Sequence, residues 1–150
     1  MAGGYHNNPA RQAAAFHDGW YRSGDLGLLD PDGYLHILGR AVDISWIDGV
    51  MVSPTVVEDT LCRLSTVRYA VVVVDEETGS WIAAVVPWPG SSVDSLQCRD
   101  AVAVRYGAAV AASVVVVPLE RVPLTEQGKP DRVAIQQLGR KAGGSQQIHT

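Results

Sequence analysis

Cysteine is scarce in this chain of 150 residues, with only Cys62 and Cys98, which leaves a disulfide framework or a zinc site without support. Both sit in stretches of helical apolar spacing and read as reduced core thiols. There is no excess of positive charge. A formal net charge of −4 gives no basic field of the kind that holds nucleic acid or anionic lipid, so neither partner is expected. No charged-then-apolar leader opens the sequence, and the longest apolar runs, around Ala70 to Val74 and Val114 to Pro118, are far too short to span a bilayer. A cytoplasmic protein without a transmembrane segment is the expectation. The histidines, His6, His17, His36 and His149, have neither metal-ligand nor triad spacing, and no Gly-x-Ser-x-Gly elbow accompanies them. Hydrolase and metalloenzyme readings therefore have no anchor, and no metal ligand is assigned.

What is present is enough apolar material, 47% of residues, to bury one core. The first forty residues are rich in Gly, Asn, His and aromatics. Within them Asp-Pro-Asp-Gly at 30–33 separates two apolar runs, Leu26 to Leu29 and Tyr34 to Leu38, which predicts a β-hairpin. A second, tighter hairpin is expected to turn at Asp48-Gly49. Ser53 then reads as an N-cap with Pro54 at the first helical position. That helix is expected to run to about Leu64, burying Val56, Val57, Thr60, Leu61 and Leu64. Strands are expected at Tyr69 to Val74 and Trp81 to Val86, a helix over Asp94 to Ala112, and a strand at Val114 to Val117. A last helix is expected from about Arg132 to Lys141, followed by a frayed tail. The order βαββαβα predicts an α+β fold: a small mixed sheet of about three strands covered by helices, with a two-stranded hairpin before it.

Three places can carry chemistry. Leu-Thr-Glu-Gln-Gly-Lys-Pro-Asp-Arg, residues 124–132, sets Lys129 between a glycine and a proline in a stretch too polar for a core, so its ammonium should be exposed. On a mobile, pliable Gly-flanked loop such a group is suited to swinging onto a negative charge that develops in a reaction, or is simply a solvated loop lysine. In Tyr21 to Gly27, Asp25 follows a glycine. It can accept both hydroxyls of a ribose, or serve as an Asx-turn residue. In Gly39 to Gly49, Arg40 can bridge a ligand with its planar donor fork, or pair at the surface with Asp43.

Taken in order along the chain, these segments resemble the adenylate-forming superfamily of acyl-CoA synthetases, luciferases and nonribosomal-peptide adenylation domains. Residues 3–40 resemble its series GY-x-N-x-P, GW-[YF]-x-[ST]GD and a D-x-DGY hairpin ending in GR. Val-Ser-Pro-Thr-Val-Val-Glu-Asp-Thr-Leu at 52–61 is similar to the opening of the family's C-terminal domain, and residues 123–132 to its closing P-x-[TN]-x-x-GK-x-x-R loop.

The resemblance implies a C-terminal mobile domain over residues 42–141, preceded by a remnant of an AMP-binding N-terminal domain at 1–41 and followed by a disordered tail at 142–150. It implies an ATP-dependent acyl-CoA synthetase reaction, from carboxylate and ATP to acyl-adenylate and then to a CoA thioester, with ATP and its Mg held mainly by the longer N-terminal domain of the family. Lys129 would be the adenylation lysine, Asp25 and Arg40 nucleotide-binding residues, Val42 the hinge, and Gly49 the residue that the pantetheine arm of CoA passes. At the hinge the family usually has Asp or Lys rather than a stiff β-branched residue. The usual GGE or GGF turn reads Asp48-Gly49-Val50 here, and the basic stretch before the third core strand is replaced by Gly107 to Ser113. No phosphate loop occurs in the sequence, so the chain is expected to be inactive alone and to associate with itself or with a partner N-terminal domain. Alternatives are a non-catalytic interaction module of the same fold, or a half-enzyme completed in trans.

Overall fold

The computed structural model describes residues 16–17, 20–21 and 23–146, the side chains of 16–21 and 145–146 excepted. Most of the residues carrying the GY-x-N-x-P and GW-[YF] parts of the resemblance lie outside that range, as do residues 147–150. The chain divides into two compact units, Met1–Val42 and Asp43–Thr150.

In the first unit, β1 (Phe16–His17) pairs with β2 (Trp20–Tyr21), and β3 (Asp25–Leu29) with β4 (Leu35–Arg40), both antiparallel. The turn between β3 and β4 is built by Asp30. Its carbonyl accepts from the Gly33 N–H at 3.0 Å, and its carboxylate accepts from the N–H groups of Asp32 and Tyr34 at 3.0 and 2.9 Å. Gly33 supplies the positive φ of 87° that closes the turn. This hairpin has no core of its own: Leu28, Leu29, Leu35 and Ile37 are 47–69% exposed.

The second unit opens with the hairpin of β5 (Ser45–Ile47) and β6 (Val50–Val52). Its two central turn residues, Asp48 and Gly49, both have positive φ, 50° and 77°, the turn whose twist matches that of the flanking strands. Helix α1 (Pro54–Cys62) follows, with the Ser53 side chain accepting from the Val56 N–H. A three-stranded sheet in the order β7 (Val67–Val74), β8 (Trp81–Pro87), β9 (Val114–Pro118) forms the centre. β7 and β8 are antiparallel and β8 and β9 parallel, which makes the sheet mixed. The crossover to β9 carries α2 (Ser95–Tyr106) and α3 (Ala108–Ser113), and α4 (Arg132–Gln146) closes the described chain.

Both faces of this sheet are covered. Trp81, Ala83 and Val85 of β8 join Val57, Leu61, Cys98, Val102 and Val110 on one side, while Ile82, Ala84 and Val86 join Val122 and Ile135 on the other. A strand enclosed on both faces has no use for polar alternation, which is why β8 reads as an unbroken apolar run. The free edge of β7 is also guarded. The Glu58 carboxylate accepts from the Val72 N–H at 2.7 Å, and Gln136 donates to the Val74 carbonyl at 3.0 Å.

Four expectations are corrected. The single helix over Asp94 to Ala112 is two helices, because Gly107 adopts φ 94°, ψ 162°, outside any helical region. Helix α1 ends at Cys62, with Arg63 as its C-cap, rather than near Leu64. Helix α4 continues past Lys141 to Gln146 into the segment expected to be disordered. Leu138 and Ala142 pack on the sheet, and once docked a helix extends through Gly143 and Gly144 at only about 1 kcal/mol each. Cys98 is buried but Cys62 is exposed, since it lies one residue round the helix past Thr60 and Leu61, the buried side chains of that turn.

Candidate functional site

In the first unit, hairpin register brings Asp25 and Arg40 opposite each other as the last pair of β3 and β4. Arg40 Nε lies 3.2 Å from Asp25 Oδ1, the two side chains being 61% and 36% exposed. Arg40 Nη1 also donates to the Ser23 carbonyl at 2.7 Å. Asp25 is therefore a strand residue held by a cation. The turn bond expected of its carboxylate is made instead by Ser23, whose hydroxyl accepts from the Asp25 N–H at 3.2 Å. Asp43, in the second unit, lies against Arg132 at 3.7 Å. Asp25 keeps a carboxylate oxygen without a partner among the described residues, so the pair presents an anionic acceptor next to a planar donor fork.

Lys129 is exposed, and the segment beneath it is braced rather than pliable. Gly128 N–H donates to the Thr125 carbonyl at 2.9 Å, and Thr125 N–H to the Lys129 carbonyl at 2.8 Å. Lys129 N–H reaches the Thr125 hydroxyl at 3.3 Å. Outside this ring of bonds, Leu124 bridges Pro130 and Asp131 N–H donates to the Pro123 carbonyl at 2.8 Å. Gly128, at φ 76°, supplies the left-handed residue that such a turn requires. The result is a hydrogen-bonded turn with a free ammonium: the Lys129 side chain has no ion-pair partner among the described residues.

Val42 lies in a short 3-10 turn, Ala41–Asp43, and is 90% exposed. Gly49 stands at the tip of the β5–β6 hairpin with no atom within 4 Å of the place a Cβ would occupy. Among the described residues no group of three His, Cys, Asp or Glu side chains could hold a metal ion, and no helix is long and apolar enough to cross a membrane.

Two arrangements escaped the sequence. Arg140 binds the carboxylate of Asp75 through Nε and Nη2, both at 2.8 Å, fastening α4 to the turn after β7. Arg132, expected as the end of a motif and the start of the last helix, meets Asp43, the residue after Val42. In both cases the partners come from distant segments, and one sequence carries no signal that couples them.

No family model matches the chain. Relatives do. The medium/long-chain-fatty-acid–CoA ligase FadD8 of Mycobacterium tuberculosis is 35% identical over 145 residues, covering 90% of this chain and 25% of that protein. Among solved structures, the amide bond synthetase McbA of Marinactinospora thermotolerans superposes with a TM-score of 0.74 at 33% identity, over 90% of this chain and 28% of its own. The O-succinylbenzoate coenzyme A synthetase of Bacillus subtilis, solved with AMP, gives 0.68 at 28% identity, over 87% and 27%. The chain thus spans about a quarter of the length of the proteins it matches. Likeness to these ligases and synthetases over about nine-tenths of its length makes the chain a member of the adenylate-forming superfamily, as a C-terminal domain of that family.

Proposed function

We propose that this chain is the lysine-bearing C-terminal part of an ATP-dependent acyl-CoA synthetase, acting on a fatty acid or another carboxylate. The observation that carries the reading is the exposed ammonium of Lys129 on a turn whose backbone is fixed by its own hydrogen bonds. A compact cation on a rigid mount stabilises negative charge developing between a carboxylate and an α-phosphate without having to reorganise. Asp25 takes the ribose hydroxyls, and Arg40 orients that carboxylate and contributes to the nucleotide site. Residues 1–41 act as the end of an AMP-binding domain and residues 42 onward as the mobile domain, turning at Val42 between the two half-reactions. In the second half-reaction the CoA thiol displaces AMP, its pantetheine arm passing Gly49. The nucleotide's phosphates and their magnesium are held by the longer N-terminal domain of such enzymes. The leucines on the β3–β4 hairpin support association with such a domain, or with a second copy.

The names of relatives support this assignment, since FadD8 is a fatty-acid–CoA ligase and the Bacillus enzyme a coenzyme A synthetase. The second reading, a domain of the same fold without catalysis or completed in trans, is favoured by α3, Ala108–Ser113, which has no basic residue where CoA phosphates would need one. One experiment separates the two. The chain is mixed with, or fused to, an N-terminal domain of the superfamily, and carboxylate-dependent ATP–pyrophosphate exchange is followed. Exchange that appears and is lost in Lys129→Ala supports the synthetase; absence of exchange in both mixture and fusion supports the module.

A further inference from the structure

Arg132 occupies the first position of α4, where the helix's partial positive charge disfavours a cation. Acidic groups offset that conflict. Asp43 Oδ1 lies 3.7 Å from Arg132 Nη2, the aspartate being only 28% exposed. Asp131, the residue before it, caps the helix by accepting from the Ala134 N–H at 3.0 Å. The same guanidinium acts on Glu58, whose carboxyl is pushed up by burial and drawn down by the Val72 N–H and, more weakly, by Arg132. A residue that breaks a local rule and is held by carboxylates from other segments marks a junction.

The segments that meet there are the two that the proposed function needs to coordinate. Lys129 stands three residues before Arg132, on a turn tied to it through the Asp131–Pro123 bond. Asp43 stands one residue after Val42. On the other side of Val42 the chain is also anchored, by the Ala41 N–H to the Gly24 carbonyl at 2.8 Å and by the Arg40–Asp25 pair. Val42, 90% exposed, is left between two fastened neighbours.

We infer that Arg132 is a positioning residue that fastens the segment following Val42 to the base of the Lys129 turn through Asp43. The inference rests on the role proposed for Lys129, but its test does not use activity. Amide hydrogen exchange is measured by mass spectrometry on the chain itself, in peptides covering 41–45 and 124–131, for Asp43→Asn, Arg132→Gln, Arg132→Lys and the charge swap Asp43→Arg with Arg132→Asp. Each neutralising variant is expected to speed exchange in both peptides about twofold to fivefold, the scale of one exposed ion pair. The peptides of β7 and β8 should be unchanged, and Arg132→Lys and the swap should return to within about twofold of the parent. The inference is overturned if each variant quickens only its own segment, if neither segment changes, if exchange rises throughout the sheet, or if the swap fails to restore it. A negative result leaves the ligase reading of Lys129 standing; failed pyrophosphate exchange with intact coupling removes that reading instead.

Discussion

Arg140 grips Asp75 by two bonds of 2.8 Å, and the aspartate side chain is only 1% exposed. Glu77 completes the arrangement, its carboxylate 2.7 Å from Arg140 Nη1 and its N–H donating to Asp75 Oδ1 at 3.1 Å. The guanidinium, chiefly through these hydrogen bonds, holds the Asp75 carboxyl at about 2, below its usual 3.8. A depressed carboxyl adds stability that is complete above its unfolded value and lost as pH falls through the folded one. Removing Arg140 leaves a buried carboxylate without its partner. Arg140→Ala is therefore expected to lower Tm at pH 7 by on the order of 10 °C, and the gap from the parent should narrow between pH 4 and pH 2. Thermal melts across that range check both parts.

Two glycines of α4 should respond in opposite ways. A Cβ added at Gly139 would fall on the Ile82 side chain, whereas one at Gly143 would meet nothing within 4 Å. Gly139→Ala is expected to cost about 1–3 kcal/mol by overpacking, and Gly143→Ala to stabilise by about 0.4–1 kcal/mol through the unfolded chain and helix propensity. Urea midpoints at constant slope would report each change.

At the proposed site, structure and chemistry separate cleanly. Gly128→Ala forces a Cβ into φ 76° and should cost about 1–2 kcal/mol. Lys129→Ala touches only an exposed side chain and should stay within about 0.5 kcal/mol of the parent. The second variant removes pyrophosphate exchange if Lys129 has the proposed role, without a loss of fold on which to blame it. Denaturant unfolding alongside the exchange assay tests the pair.

The two thiols should label in two steps. Burial raises the Cys98 thiol to about 11, so a disulfide reagent should reach it only when the chain unfolds. Cys62 is exposed, yet partial burial raises its thiol too, with Glu58 and Asp59 adding to the effect of burial and an N–H from Ala70 opposing it. Native labelling near pH 8 should therefore be confined to Cys62 and slower than for a free thiol. Quantifying absorbance with and without denaturant decides this.

What could be read from the sequence was what local chemistry writes. Asp30 to Gly33, Asp48-Gly49 and Ser53-Pro54 each specify backbone geometry within four residues, and the strands of the central sheet follow from their apolar runs. Gly107 was underestimated because one glycine costs only about 1 kcal/mol in a helix, and apolar recurrence continues on both sides of it. The length of α4 was set by Leu138 and Ala142 docking on the sheet, a tertiary effect. At the candidate site, Lys129 was legible through its glycine and proline neighbours. The pairing of Asp25 with Arg40 instead depends on a register that shifts at Leu26/Gly27, and no alternation pattern foretells a bulge.

The turn from Thr125 to Lys129 closes on itself, so reshaping the main chain beneath the ammonium means breaking its hydrogen bonds. If Lys129 has the proposed role, discrimination there depends on how accurately the turn is delivered, and residues 123–131 should keep their shape when grafted onto another scaffold.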